Sequence, residues 1–123
     1  MPIESIQEDI EPYITKDGSS IRELMHPEVH GNRAQSLAEA TVPVGSSTIP
    51  HRHNRSEEIY HITEGSGRIT IEGQNFEIKT GDTICILPGE VHSIRNIGDV
   101  ALKILCCCSP PYSHYHTELS DRS

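Results

Sequence analysis

The chain has 123 residues, with Lys+Arg 10 against Asp+Glu 18 and a formal net charge of −8, which excludes the clustered cationic surface that a nucleic-acid backbone requires. Its length suits a single domain, able to bury about two-thirds of its unfolded surface without disulfides, and no apolar run approaches the ~18 residues of a membrane span. Aromatic residues make up 4% of the chain, with Phe76 the single phenylalanine, so Ile and Val carry the apolar character and favour strands over helices.

The first segment, Met1 to Glu11, holds Glu4, Glu8, Asp9 and Glu11 and no basic residue, unlike a secretory signal. Residues 1–34 read as an arm with a turn signal at Asp17-Gly18, a short strand around Ile21 to Met25 and a break at His26-Pro27. From Gln35 the texture changes to short apolar runs cut by Gly and Pro. Strands are expected at about 35–43, 57–63, 67–72, 75–79, 83–88, 91–96 and 100–108. The clearest hairpin is RITIEGQNFEIK, in which Ile69 and Ile71, then Phe76 and Ile78, alternate with polar residues. That many short strands in so few residues must hide their edges, which points to an all-β closed barrel or jelly roll over 35–109. Residues 110–123 read as a tail, and His114 and His116 in it as solvated, with a lid or an added ligand as the sharper alternative.

Two stretches carry chemistry. In HRHNRSEEIYHITEG, His51 and His53 are two apart, so on a strand both side chains face one way and Arg52 the other. The turn-like NRSE lets Glu58 fold back toward them, and His92 follows a second turn at Pro88-Gly89. Neutral imidazoles with one carboxylate suit a divalent first-row ion: Fe, Mn, Ni, Co or Zn. Four protein ligands leave positions open, as catalytic metals require. If Glu58 points inward, so do Tyr60 and Ile62, with His61 outward; Tyr60 is then either a substrate contact or a wall residue. On the last strand the same alternation places Leu102, Ile104, Cys106 and Cys108 inside, where the cysteines are expected to act as small buried apolar groups. With Cys85 and Cys107 they read as free thiols in a reducing cytoplasm. Arg95 faces out, and no interior cation is expected.

The residues resemble a small single-domain bacterial cupin. The first cupin motif, G-x5-H-x-H-x3,4-E-x6-G, is matched by Gly45, His51, His53, Glu58 and Gly65. Only Glu58, not Glu57, also places Gly65 at the right distance. The second, G-x5-P-x-G-x2-H-x3-N, is matched by Gly81, Gly89, His92 and Asn96, with Leu87 where the pattern has proline. The ending LCCCSPPYSH resembles a subgroup with a Cys-rich last strand. With Glu58 and Tyr60 as the candidate catalytic groups from their inward positions, the resemblance implies a cupin double-stranded β-helix with an N-terminal arm and one divalent ion per chain held by His51, His53, Glu58 and His92. It further implies a small-molecule substrate, dioxygenase chemistry with Fe(II), or isomerase, lyase or decarboxylase chemistry with another ion. A non-enzymatic metabolite binder remains the alternative. The family also implies a homodimer in which Ile3, Ile6, Ile10, Ile14 and Ile21 of the arm pack against the partner's sheet.

Overall fold

The structure is a computed structural model and describes residues 2–121. Among the described residues eleven strands follow one another: β1 (Tyr13–Ile14), β2 (Ser20–Met25), β3 (Ser36–Val42), β4 (His51–His53), β5 (Glu57–Glu64), β6 (Ser66–Ile71), β7 (Gln74–Lys79), β8 (Thr83–Ile86), β9 (His92–Asn96), β10 (Leu102–Ser109) and β11 (Thr117–Leu119). They form a six-stranded sheet, β1-β2-β3-β10-β5-β8, facing a five-stranded one, β11-β4-β9-β6-β7. Every pairing is antiparallel. The expected all-β jelly-roll barrel is therefore present. No helix among the described residues is long and apolar enough to cross a membrane.

The expected alternation holds on the strands that build the interior. On β10, Leu102, Ile104, Cys106 and Cys108 are buried while Lys103, Leu105 and Cys107 are only partly so. On β5, Glu58, Tyr60 and Ile62 are buried between exposed or half-buried neighbours. β3 buries Ser36, Ala38, Ala40 and Val42 in the same way. These three strands are neighbours, and their inward residues grade along the barrel. At one end Ile62, Leu102 and Ile69 form a closed apolar plug, from which Val42, Ile94 and Ile104 reach on to line the cavity. Each such side chain contributes about 1.5–3 kcal/mol on burial. At the other end the inward residues are Ser36, Ala38, Glu58, Cys106 and Cys108, too small or too polar to fill the space, and the barrel stays hollow there.

Turns explain the register. The β6–β7 hairpin closes through Glu72 and Gly73, both at positive φ (47° and 80°), the primed geometry that matches strand twist. Gly65 has φ 87°, and a Cβ there would stand 3.0 Å from the Ala101 carbonyl oxygen, so this motif position admits no side chain. Leu87 uses an N–H that proline would lack to bind Oε1 of Glu90 at 2.7 Å. Asn96 of the second motif is structural: its amide donates to the carbonyls of Val42 and Val100 and its oxygen accepts from Gly98 N.

Two expectations change. Phe76 is 48% exposed, because β7 is the edge of its sheet and only Ile78 on it is buried. The final segment is more than a tail: Thr117–Leu119 pairs with β4, in register Thr117 with His53 and Leu119 with His51. The bidentate pair of Arg52 with Glu118 (3.0 and 2.7 Å) reinforces that seam from outside. The arm lies on its own chain's sheet, β2 pairing with β3, and Lys16 Nζ binds the carbonyls of His114 and Thr117. Arm and C-terminal segment thus meet over the hollow end of the barrel.

Candidate metal centre

β4 is three residues long, and its burial pattern turns His51 and His53 inward with Arg52 out. His92 opens β9 and pairs with His51 across the ladder. The three imidazoles offer donor nitrogens that all lie within 4.8 Å of one another, and all three rings are buried. Glu58, 4% exposed, places Oε1 3.1 Å from His53 Nε2 and 3.5 Å from His92 Nε2. The three imidazoles singled out in the sequence thus form one close group, and Glu58 meets two of them, His53 and His92. Tyr60 lies beside them, its ring centroid 6.0 Å from that of His92. His114 and His116 stay outside: His114 stacks edge-on with Tyr112 and Tyr13, and the His116 carbonyl accepts from Asn54 N.

Each ring is oriented through its other nitrogen. Nδ1 of His51 meets the Ile49 carbonyl at 2.8 Å and Nδ1 of His92 the Glu90 carbonyl at 3.0 Å. Nδ1 of His53 meets Thr117 Oγ1 at 3.0 Å, and that hydroxyl spends its own proton on the Ser113 carbonyl. All three partners are acceptors, so each Nδ1 carries the hydrogen and each neutral ring aims an Nε2 lone pair inward. This is how protein matrices preset metal-binding imidazoles.

The lone pairs face carboxylate oxygens. Oε1 of Glu58 and Nε2 of His92 are buried and have no hydrogen-bond partner. Neither a carboxylate nor a neutral ring can donate, so a positive charge is needed between them. Burial acts against charge on Glu58, yet its neighbours His53 and His92 outweigh it and hold the carboxyl well below the usual range. For His92 burial again opposes charge, and Glu58 outweighs it and raises the ring. His51 is lowered to about 4, first by burial and then by the neighbouring His92. The centre thus attracts one proton or one cation. Two donors about 2.1 Å from a common ion stand about 3.0–3.4 Å apart, close to the separations seen here. The residues fit a divalent metal, with nitrogen and oxygen donors typical of Fe, Mn, Co, Ni or Zn.

The centre opens into a cavity of about 40 Å³ with no Lys or Arg in its lining, as the outward Arg95 led one to expect. That is room for about three waters, or a ligand fragment of similar size. Burial first, then the Glu58 charge, pushes the Tyr60 hydroxyl well above its ordinary value, so it remains a phenol and a donor.

Four groups at the site take roles that the sequence did not assign them. Cys108 Sγ lies 3.1 Å from Glu58 Oε2, so it is a polar partner as well as a small buried group. Thr117 orients His53. Tyr112 lies over His53, ring centroids 5.6 Å apart. Asp17, from the arm's turn, puts Oδ2 3.4 Å from His51 Nε2. The turn signal at Asp17-Gly18 was visible, but nothing local told where that turn would land.

The profile described as cupin domain matches residues 38–108. An uncharacterized protein of Methanocaldococcus jannaschii is 58% identical over 117 residues, covering 95% of this chain and 94% of that one. The oxalate-binding protein of Thermotoga maritima is 38% identical over 82 residues, 67% of this chain and 68% of its own. Among solved structures, a predicted oxalate decarboxylase from Thermotoga maritima superposes with a TM-score of 0.75 at 31% identity, covering 89% of this chain and 99% of that chain.

Proposed function

The chain belongs to the cupin family, and from that membership we propose that it is a divalent-metal-dependent enzyme acting on a small organic molecule, of oxygenase type when the ion is Fe(II). The observation that carries this reading is the unpartnered, buried pair of Glu58 Oε1 and His92 Nε2, set among three rings whose Nδ1 atoms are all committed to acceptors. His51, His53, Glu58 and His92 would hold the ion. A bound divalent ion supplies Lewis acidity, and iron adds one-electron chemistry with O2.

The chain's own residues do the rest. The aliphatic lining at Ala38, Ala40 and Val42 and the small cavity exclude bulk water. Tyr60, kept protonated by burial, donates a hydrogen bond to a substrate oxygen and orients it toward the centre. Glu58, fixed by Cys108, keeps its charge and its position. With Mn, Ni, Co or Zn the same arrangement supports isomerase, lyase or decarboxylase chemistry.

A second reading, non-catalytic capture of a small metabolite, is supported by the name of the 38% identical Thermotoga maritima relative, an oxalate-binding protein. Against a dianionic ligand stands a lining that contains carboxylates and no cationic side chain. The test is a metal panel with candidate substrates, including Fe(II) loaded anaerobically and then exposed to O2. Fe(II)-dependent oxygen uptake lost in His51→Ala supports the oxygenase. Turnover without O2 supports the non-redox enzyme, ligand capture without product the binder, and a protein that binds no divalent ion overturns both metal-dependent enzyme readings.

A further inference from the structure

Asp17 sits at the centre of a five-residue turn, Thr15 to Ser19, in the arm that precedes the barrel. One of its two carboxylate oxygens is fully occupied. Oδ1 accepts from Thr15 Oγ1 at 2.6 Å, Ser19 Oγ at 2.6 Å and Ser19 N at 2.9 Å. The other, Oδ2, has no such donor and is directed at His51, whose Nε2 is 3.4 Å away. The Nδ1 hydrogen of His51 is already given to the Ile49 carbonyl, so a neutral ring meets Oδ2 with a lone pair. Two electron-rich atoms held face to face in a side-chain pair 2% and 14% exposed are joined by a proton or by a metal cation between them.

The placement of this turn is tied to the placement of His51. Ile49 N donates to the Asp17 carbonyl at 2.7 Å, and the Ile49 carbonyl receives the His51 Nδ1 hydrogen at 2.8 Å. One residue therefore sets both the turn and the ring. Lys16 then clamps the turn to the C-terminal segment through the His114 and Thr117 carbonyls. Three donors on Oδ1 and these anchors hold Oδ2 in a defined direction, as expected of a preset ligand.

We propose that Asp17 is a fifth protein ligand, so that the ion is held by three imidazoles and two carboxylates, Glu58 on the His53–His92 side and Asp17 on the His51 side. This rests on the metal-dependent reading above and extends it in two ways. Two carboxylates balance the charge of a divalent ion, which leaves a formally neutral centre suited to a neutral, oxygen-bearing substrate rather than a dianion. A fifth ligand also leaves one position open on a six-coordinate ion rather than two.

The test uses the full-length protein and two ions, Zn(II) for affinity by chelator competition and Co(II) for its absorption spectrum, which reports coordination number. Asp17→Asn is nearly isosteric and can keep the three bonds to Oδ1, placing an N–H where Oδ2 was. The expected result is a Kd raised about 10–100-fold and an altered Co(II) band, while the metal-free variant melts with the native protein. Unchanged Kd and spectrum in Asp17→Asn, with the native chain binding normally, overturns the fifth ligand and leaves the metal-dependent reading standing. A native chain that binds neither ion overturns both. Should Asp17→Asn misfold, a metal-loaded crystal structure of the native chain decides: Oδ2 at about 2.0–2.5 Å from the ion upholds the assignment, and an ion bound by the histidines with Oδ2 beyond contact rejects it.

Discussion

Cys108 and Glu58 are register partners on adjacent strands, and the Cys108 thiol donates to Glu58 Oε2 across 3.1 Å. Burial first, then the Glu58 charge, pushes that thiol far above its ordinary range, so it stays an S–H donor to Glu58. Glu58 then has one oxygen committed to the protein and one, Oε1, facing the imidazoles. Cys108→Ala leaves Oε2 without its donor in a buried site, a loss of about 1–3 kcal/mol. We expect a lower melting temperature and weaker divalent-metal binding, with Cys108→Ser closer to the native protein. Calorimetric titration of the three proteins checks this, and equal affinities would show that the thiol does not position Glu58.

Thr117 reaches His53 from 64 positions away. Thr117→Val keeps the shape and removes the acceptor for the Nδ1 hydrogen. Metal affinity should fall about 10–100-fold, and Thr117→Ser should restore most of it. If Thr117→Val instead binds Zn(II) as the native chain does, the orientation of His53 comes from packing alone.

Metal binding should be visible as stability. An ion that binds only the folded chain adds about 2.7 kcal/mol at a hundredfold excess over Kd. We expect a rise in melting temperature on adding Zn(II) or Mn(II), reversed by a chelator. The rise should be absent in His51→Ala, His53→Ala and His92→Ala. A shift of the same size in those variants would place the ion elsewhere.

Glu23 lies partly buried beside the cavity with Oε2 accepting from Tyr13 at 3.1 Å and Oε1 buried without a partner. Burial, opposed by the Tyr13 hydrogen bond, raises its carboxyl above the ordinary 4.5. The folded chain therefore holds this proton more tightly than the unfolded chain. Its contribution is most favourable below the ordinary carboxylate value and is lost as pH rises through that value toward the raised one. Glu23→Gln should flatten this part of the stability profile and raise the melting temperature at neutral pH. Denaturant melts from pH 4 to 8 give the answer; a steeper decline in the variant would contradict it.

The arm leaves Ile3, Ile6 and Ile14 exposed, at 51%, 58% and 69%. We expect the chain to self-associate as a dimer that covers them, and Ile6→Glu with Ile14→Glu to shift sedimentation toward the monomer. A native protein that sediments as a monomer at all concentrations would remove the dimer from the picture.

The strand pattern was legible because side chains on a strand alternate whatever the strand packs against. That let the inward set Glu58, Tyr60, Ile62 and the inward set Leu102, Ile104, Cys106, Cys108 be read from residue types. Phe76 misled because alternation gives a face but not an edge. His51, His53, Glu58 and His92 were legible for a related reason: three of them flank one short turn between β4 and β5, and the fourth follows a turn of fixed form.

By itself, then, the sequence determined the barrel, the direction of its side chains and the four inward ligand candidates, since these depend on local alternation and turn geometry. Only the tertiary structure decided what surrounds them. Asp17 from the arm, Thr117 from the last strand and Cys108 from β10 each reach a site residue through hydrogen bonds or charge across long stretches of chain. No local pattern encodes which buried lone pair a distant donor or carboxylate will meet; that is fixed when the sheets close and the two termini fold over the same open end.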